Sequence, residues 1–299
     1  MDAVRGQAYS DPMRDLNYDL KRLQAARDDG SHGTRVARSY ALAQIADTLH
    51  DLGFKGLRGS GLRRKHAVAL VKEWKRQGRS TGTMKNRTAH LRWWAERIGR
   101  PAVVPSNGAL GIANREYVTN EDKSVVVDPD KLTLVKDEHV VMALRMEAEF
   151  GLRREEAIKF TPSRDDRGDR IRLKGSTTKG GRPREVPVRK DSQRRVLDEA
   201  RKLAGSGALI PPDRNYKQQL KVYEDQTRAA GLYRMHGLRH HYAQIRYEEI
   251  TGWKAPAAGG PRQRSLTGAK RRIDRDARKT IARELGHDRQ SVVSVYAGR

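Results

Sequence analysis

The chain has 299 residues, of which 62 are Lys or Arg and 37 are Asp or Glu, so its formal net charge is +25. A mean hydropathy of -0.85 and the lack of an uncharged apolar run of about 18 residues exclude an integral membrane protein. The absence of cysteine excludes disulfide scaffolds, thiol catalysis and cysteine-ligated metal sites. Segment 1–10 has no apolar core and is not expected to be a signal peptide, and the lack of cysteine makes a reducing cytoplasm the expected compartment.

The excess of positive charge predicts a polyanionic partner. No segment combines a basic face with a sufficiently apolar one, so nucleic acid is favoured over a membrane surface. Charge alone does not separate a DNA enzyme from a passive DNA-binding or RNA-binding protein, because both need a surface that releases counterions. The motifs have to decide between these classes.

The first third of the chain shows helical spacing of apolar residues. Two tryptophans, Trp74 and Trp94, follow this spacing and are predicted to pack in a core, whereas the place of Trp93 stays open. Pro and Gly then interrupt any long period from residue 101 onward, which is typical of a linker. Helices are predicted from about residue 42 to 52, 67 to 78 and 81 to 98.

The second half is predicted to be mainly α-helical with a small β-sheet. Two short β-like runs, 171–175 and 184–188, flank a turn at Gly180-Gly181. Segment 251–276 is rich in Gly, Pro and Arg and is predicted to be a mobile loop or an insertion that contacts nucleic acid. Helices are predicted at about 137–150, after Arg153, at 190–204, 215–230, 236–249 and 277–285, and around Val292 to Val295.

Several familiar catalytic motifs are absent from the sequence. It has neither the phosphate loop G-x-x-x-x-G-K-[ST] nor H-E-x-x-H. The pair Glu155-Glu156 follows Arg153-Arg154, so ion pairing on a helix explains these carboxylates better than a two-metal site does. We therefore expect neither a metal nor a cofactor.

A set of cationic and imidazole groups with a tyrosine remains. His236 and Arg239 are three residues apart, so a helix places both on one face, where both can address one phosphate. A solvated basic helix is the alternative for this pair. Gly-Leu-Arg153, Lys179 between the strands and Leu-Gly-His287 are equally ordinary when each is taken alone.

The order of these groups is specific. The series Gly-Leu-Arg153-x-x-Glu156, Lys179, His236-x-x-Arg239, Leu-Gly-His287 and Tyr296 resembles the tyrosine recombinase (phage integrase) family over about 165 residues. The resemblance implies a C-shaped two-domain clamp on DNA. Its parts would be a helical core DNA-binding domain at 1–105, a linker at 106–130 and a catalytic domain at 131–299, with an insertion at 251–276.

The family's chemistry implies a role for each matching residue. Tyr296 would be the nucleophile that stores the bond energy of the broken strand in a 3′-phosphotyrosyl ester. Arg153 and Arg239 would hold the scissile phosphate with their forked donors and stabilise its developing charge. Lys179 would protonate the leaving 5′ oxygen, and Lys174 is its competitor.

Other matching positions are implied to assist. By resemblance His236 helps proton transfer with the nucleophile, His287 donates to the scissile phosphate, and Glu156 orients an arginine, although a plain helix salt bridge explains Glu156 equally well. His240 and His241 adjoin the motif and are expected to have structural or peripheral roles. Contacts with DNA are expected from Lys85, Arg87, His90, Arg262, Arg264 and Arg271.

The resemblance also implies partners, namely double-stranded DNA, a homo-tetramer on DNA and accessory DNA-bending proteins, with no membrane. Two departures from the family bear on the assembly. The interval from Arg239 to His287 is 48 residues, longer than is usual in the family, and only three residues follow Tyr296, where many members continue with a helix that docks on the adjacent subunit.

Two other functions stay open at this point. A type IB topoisomerase uses a similar constellation, and basic charge alone would suffice for a catalytically silent DNA-binding protein. The DNA sequence and the direction of recombination cannot be read from this pattern.

Overall fold

The computed structural model describes residues 15–26, 29–178 and 181–299. The chain divides into two compact units, one ending at Glu116 and the other beginning at Tyr117, and each has its own hydrophobic core. This boundary lies within the segment 106–130 that is predicted to be a linker. Leu110 and Ile112 are buried in the first core, so residues up to 116 pack with the first unit.

Helices form the first unit. Ser31 and Ser80 cap two of them by accepting hydrogen bonds of 3.2 Å from the backbone N–H groups of Thr34 and Thr83. These side-chain caps satisfy backbone N–H groups of the first turn and explain where the two helices begin. The helices are α1 Asp15–Ala25, α2 His32–Asp51, α3 Arg64–Arg76 and α4 Thr81–Arg97.

The tryptophans belong to the core of the first unit. Trp74 and Trp94 are fully buried, which confirms the prediction. Trp93 is also buried; its indole Nε1 donates to Asp29 Oδ2 at 2.9 Å, and the Arg38 guanidinium lies 4.3 Å from its ring centroid. Trp93 therefore has packing and hydrogen-bonding partners within the unit.

The second unit is mainly helical with a small sheet, as predicted. Strands β1 (Arg170–Leu173) and β2 (Arg184–Pro187) are antiparallel, and Ile171 pairs with Val186. The helices are α5 Pro129–Thr133, α6 Glu138–Phe150, α7 Arg154–Ile158, α8 Pro162–Asp165, α9 Asp191–Ala204, α10 Tyr216–Ala229, α11 His236–Thr251, α12 Gly268–Glu284 and α13 Ser294–Ala297.

The helix predicted at 277–285 begins nine residues earlier, at Gly268, so the prediction of a loop across 251–276 is wrong for its last part. The reason is that its buried face includes a polar pair. Asp274 is buried and accepts hydrogen bonds from Tyr247 Oη and Arg278 Nε, each at 2.7 Å. A search for apolar periodicity does not register such a turn.

Residues 117–128 run beside α11 in the second unit. The backbone N–H of Val125 donates to Gly237 O at 3.0 Å, and Gln244 Nε2 donates to Asp122 Oδ1 at 2.9 Å. These contacts attach the segment to the helix that begins with His236. Across the described residues, the helices lack the combination of length and apolar character needed to cross a bilayer.

Candidate active site

Tyr296 lies at the centre of a cluster drawn from several elements of the second unit. Its hydroxyl is 3.2 Å from His287 Nε2 and 3.5 Å from Arg239 Nε. Tyr296 is only 6% exposed, because α13 packs against α11. The fold thus brings Tyr296, His287 and Arg239 together across 57 residues of sequence.

Arg239 is the most enclosed charge of the cluster. It lies in the first turn of α11, and its Nη1 and Nη2 groups donate to Gly151 O and Leu285 O. Burial lowers the pKa of Arg239 to about 10, against the opposing effect of nearby Tyr296. The guanidinium therefore stays charged at neutral pH, with Nε facing the tyrosine.

Gly151 explains how a backbone carbonyl comes to face Arg239. It ends α6 in the left-handed region at φ +58°, where glycine is favoured. A Cβ on this residue would come within 2.6 Å of the Tyr242 ring. Arg153 follows two residues later at the start of α7. The same turn therefore positions both the Gly151 carbonyl that binds Arg239 and the side chain of Arg153.

Arg153 is held from two sides, and its side chain is 19% exposed. Its Nη1 donates to Glu156 Oε1 at 2.8 Å, and its backbone N–H donates to Glu156 Oε2 at 2.7 Å. Its Nη2 lies 3.4 Å from Leu285 O. These contacts fix the guanidinium beside the end of α12 while part of the side chain stays exposed.

Glu156 is buried and also binds Arg184 of β2. Arg184 Nη1 and Nη2 donate to its two carboxylate oxygens at 2.6 and 2.7 Å. Burial favours the neutral acid, but the hydrogen bond from Arg184 and the charges of Arg184 and Arg153 outweigh it and lower the pKa of Glu156 to about 2. The three groups form an ionised, bidentate chain from β2 to α7.

The C-terminal end of α12 supports all three arginines. The carbonyl of Glu284 accepts from Arg184 Nε at 2.9 Å, and that of Leu285 accepts from Arg153 and Arg239. The last carbonyls of a helix lack helical partners and carry partial negative charge, so guanidiniums are favoured there. This end of α12 thus collects the positive charge of the cluster.

His287 follows that helix end and is half-buried. Burial, with the nearby charges of Arg239, Arg153 and Arg184, lowers the pKa of its imidazole to about 4. It is therefore neutral at pH 7, with Nε2 also 3.5 Å from Arg239 Nη2.

Two further histidines lie beside the tyrosine ring. His236 is exposed at the first residue of α11, with its ring centroid 6.0 Å from that of Tyr296. His240 is buried, with a centroid distance of 4.8 Å, and burial lowers its pKa to about 4. His240 is thus closer to Tyr296 than a peripheral position implies. His241 is half-buried one residue further, and burial lowers its pKa.

The two lysines considered as general acids are less defined. Lys179 lies outside the described residues. Lys174 is exposed directly after β1. The assignment of the proton donor to Lys179, with Lys174 as its competitor, therefore stays a prediction.

The two tyrosines of α11 have partners outside the cluster around Tyr296. Tyr242 Oη donates to Glu284 Oε2 at 2.8 Å, and Tyr247 Oη donates to Asp274 at 2.7 Å. Burial and a neighbouring carboxylate raise the pKa of both phenols, that of Tyr247 to about 12. Such hydroxyls are poor nucleophiles, which leaves Tyr296 as the tyrosine of the cluster.

Sequence reasoning missed Arg184. It occupies an inward position of β2, where the neighbouring inward residue is Val186. An arginine at a buried strand position is costly unless it is paired, and its place two residues before Val186 is the signal that could have found it.

The residues proposed for DNA contact differ in their surroundings between the two units. In the first unit, Lys85 Nζ binds Asn114 Oδ1 at 3.3 Å, Arg87 Nη2 binds Gln44 Oε1 at 2.6 Å, and His90 has a pKa that burial lowers. In the second unit, Arg262, Arg264 and Arg271 are exposed.

Two family models match the chain. The one described as "Integrase" matches residues 114–245, and the one described as "Phage integrase, N-terminal" matches residues 13–104, which is 132 and 92 residues, or about three quarters of the chain. The chain belongs to the tyrosine recombinase family. Arg153 and Arg239 fall within the first match, and His287 and Tyr296 lie beyond it.

Solved structures of the tyrosine recombinase family share the fold. Lambda integrase as a dimer bound to a COC′ core site matches at a TM-score of 0.63 and 14% identity, covering 94% of this chain and 77% of that one. Its tetramer bound to a Holliday junction gives 0.61 and 14%, covering 94% and 78%. The Tn1549 transposon integrase in complex with circular intermediate DNA gives 0.55 and 11%, covering 94% and 95%. A search of curated proteins finds no significant match.

Proposed function

We propose that this recombinase cleaves and rejoins DNA at specific sites through a 3′-phosphotyrosyl intermediate on Tyr296. The observation that carries the proposal is the position of the Tyr296 hydroxyl, 3.2 Å from His287 Nε2 and 3.5 Å from Arg239 Nε. Arg153 is held beside the same helix end. A nucleophile next to two guanidiniums is the arrangement that phosphoryl transfer needs.

The proposed step exchanges one phosphodiester for another. Tyr296 Oη forms a bond to the scissile phosphorus, the bond to the 5′ oxygen breaks, and the phenolic proton leaves. A proton donor completes the 5′-hydroxyl, and Lys179 is proposed for this role with Lys174 as its rival. Attack by a 5′-hydroxyl on the phosphotyrosine reverses these changes, so the strands are rejoined without external energy.

The arginines and histidines have distinct tasks in this step. Arg153 and Arg239 stabilise the charge that grows on the nonbridging oxygens. Neutral His287 faces both the Arg239 N–H and the Tyr296 O–H with Nε2, so that nitrogen accepts in the DNA-free protein. A bound phosphate raises the pKa of His287 and allows it to donate to that phosphate. His236 assists the proton transfer of Tyr296, and Glu156 keeps Arg153 in place.

The setting that we propose is integration or excision of a mobile element by a homo-tetramer on two double-stranded DNA sites, aided by DNA-bending proteins, in the cytoplasm. Lambda integrase as a tetramer on a Holliday junction and the Tn1549 transposon integrase support this setting. Contacts of Lys85, Arg87 and His90 with DNA would belong to the first unit of a clamp.

The test is detection of a covalent protein–DNA adduct on a denaturing gel. Nicked duplexes from the ends of the element surrounding the gene are incubated with the protein in EDTA and without ATP. We expect an adduct that Tyr296→Phe removes while leaving DNA binding intact. Tyr233→Phe is the matched control because this tyrosine is 65% exposed in the same unit, and it should form as much adduct as the wild type.

Three other outcomes decide against the proposal or part of it. An adduct that persists in Tyr296→Phe moves the nucleophile to another tyrosine. Tight binding without any adduct favours a silent DNA-binding protein. If the protein forms an adduct and relaxes supercoiled plasmid as a monomer, with no strand exchange, a type IB topoisomerase is favoured.

A further inference from the structure

A pocket of about 520 Å³ lies in the second unit, and none of its lining residues belongs to the tyrosine cluster. Four arginine side chains and two amides line it, and we call it the arginine pocket. Its lining residues are Asn120, Arg262, Gln263, Arg264, Arg271 and Arg299.

The positive charge of the arginine pocket is not neutralised within the described residues. No carboxylate of that part of the chain lies within ion-pair distance of its four guanidiniums. Other arginines of the same unit are paired, for example Arg194 with Asp166, Arg214 with Asp137 and Arg246 with Glu284. Guanidiniums that share a concavity repel one another, so a bound anion would relieve an existing cost.

We propose that the arginine pocket binds a phosphate of the DNA backbone that is distinct from the scissile phosphate. This inference rests on the proposed function and names a second contact for the same substrate. Forked guanidinium donors match phosphate oxygens, and amide groups such as those of Asn120 and Gln263 commonly accompany them on a DNA backbone. The lining has no apolar side chain, so it offers a protein partner none of the buried anchors that interfaces use.

The arginine pocket is tied to the segment that carries Tyr296. The backbone N–H of Arg299 donates to Asn120 Oδ1 at 2.8 Å. A second lining residue, Gln263, donates from Nε2 to Asp274 Oδ2 at 2.9 Å. Asp274 binds Arg278, whose Nη1 donates to Gly298 O at 2.9 Å and to Ser294 Oγ at 3.2 Å. Asn120 and Gln263 are therefore linked, directly or through Asp274 and Arg278, to residues 294–299, which include Tyr296.

This link limits where on the strand the second phosphate lies. Arg299 follows Tyr296 by three residues, so their Cα atoms are at most about 11 Å apart, and the two long side chains extend that reach. A DNA strand advances about 3.4 Å along the axis per nucleotide. The contacted phosphate is therefore expected within a few nucleotides of the cleavage point.

The first experiment compares two triple variants in the Tyr296→Phe background. Arg262→Gln/Arg264→Gln/Arg271→Gln removes three charges of the arginine pocket. Arg272→Gln/Arg275→Gln/Lys279→Gln removes three exposed charges of α12 that do not line it. Binding of a fluorescent duplex is measured by anisotropy as salt is varied.

We expect the pocket variant to bind roughly 10- to 100-fold more weakly at low salt, with the slope of log K against log salt reduced by about 1, as the loss of one phosphate contact implies. The α12 variant should change the slope by less than about half a unit. Equal losses in both variants would overturn the proposal, because they would reflect total charge only. Misfolding is excluded as the cause if the melting temperature of each variant lies within about 2 °C of the parent, because these positions are exposed.

The second experiment locates the phosphate. Single methylphosphonates, which carry no charge, replace the phosphates at one to four nucleotides on each side of the cut. The parent should lose affinity at one or two of these positions, and the pocket variant should be indifferent there. The same sensitivity in both proteins at every position would contradict a defined contact.

A free polyphosphate is the competing source of the same chemistry. Calorimetry with tripolyphosphate as the probe tests it in the same proteins. Pocket-dependent binding of tripolyphosphate with unchanged duplex binding would overturn the DNA assignment. Binding is measured in the Tyr296→Phe background, so it does not depend on catalysis. If the pocket variant binds more weakly but the wild type forms no adduct, only the catalytic proposal is refuted. If the wild type forms an adduct but the pocket variant binds normally, only this inference is refuted.

Discussion

At the residue scale, the shared use of Glu156 by two arginines has consequences for stability. Its carboxylate is 1% exposed and binds both Arg153 and Arg184. Burial alone would make it neutral, so each guanidinium helps to keep it ionised. Loss of one partner leaves a buried charge only partly compensated, which is far more costly than loss of an exposed pair.

We therefore expect Arg184→Met to lower the free energy of unfolding by about 3 to 5 kcal/mol. Adding Glu156→Gln should restore part of it, because the amide removes the unpaired charge. Arg145→Met is the matched control, since its partner Glu199 is 46% exposed, and it should cost about 0 to 1 kcal/mol. Urea unfolding of these variants and of Glu156→Gln alone measures the coupling energy between Arg184 and Glu156. If the losses of free energy in the two single variants add up to the loss in the double variant, the two residues are not coupled.

The histidines near Tyr296 give the protein a pH-dependent stability. The pKa values of His240 and His287 are lowered to about 4, against 6.5 for the ordinary side chain. Between these two values the imidazoles are protonated in the unfolded chain and neutral in the folded one. Stability contributed by these two groups is complete above pH 6.5 and is lost as the pH falls toward 4.

We expect urea midpoints to fall between about pH 7.5 and pH 5, and His240→Gln to reduce that fall. His32→Gln, at an exposed position of α2, should keep the slope of the wild type. If both variants follow the wild-type curve, His240 is not neutral in the folded protein at the acidic end of this range.

At the element scale, the close approach of segment 117–128 to α11 depends on Gly237. A Cβ there would overlap the Val125 side chain and come within 2.7 Å of Lys123 O. The glycine between His236 and Arg239 is therefore needed for packing, whereas His236 and Arg239 are the residues proposed to take part in the chemistry.

We expect Gly237→Ala to destabilise the second unit by about 1 to 3 kcal/mol through overpacking. Gly33→Ala is a closely matched control, because Gly33 also follows a histidine as the second residue of a helix, and a methyl group added to it would meet no atom within 4 Å. It should be neutral or stabilising by up to about 1 kcal/mol. Thermal unfolding of both variants tests this, and equal effects would show that the approach of 117–128 is not tight.

At the whole-molecule scale, the chain changes from one unit to the next in a stretch without helix or strand. Residues 113–128 have neither, and most of residues 113–123 are exposed. Exposed backbone without regular structure is the preferred substrate of proteases.

Among the described residues, we expect limited trypsin digestion to cut first after Arg115 or Lys123. Intact-mass analysis would then show fragments ending or beginning there, each retaining one of the two hydrophobic cores. Early cuts inside α2 or α9 would contradict this division of the chain. Denatured protein is the control, because its cuts should be spread over the Lys and Arg residues.

Much of the molecule could be predicted from its sequence. The helical character, the small sheet and the burial of Trp74 and Trp94 follow from apolar periodicity and are confirmed. The resemblance to the tyrosine recombinase family also singled out Arg153, Arg239, His287 and Tyr296, which the fold brings together, although their roles stay proposals.

The remainder depends on partners that are distant in sequence. Arg184 is 28 residues from Glu156 and 100 from Glu284, so no local pattern reveals its contacts. The start of α12 was missed because Asp274 is buried through its ion pair with Arg278. In a hydrophobicity pattern such a charged residue looks like part of an exposed turn. Lys179 lies outside the described residues, and its role stays a prediction.

The C-terminal half of α12 has a consequence for engineering this recombinase. Its last carbonyls hold the three arginines, and its Arg278 holds Ser294 and Gly298 on either side of Tyr296. The proposed nucleophile and the arginines proposed to hold the phosphate thus share one scaffold. A chimera with another recombinase should therefore retain α12 and α13 as a single block, because a junction between them would separate Tyr296 from the arginines that the end of α12 positions.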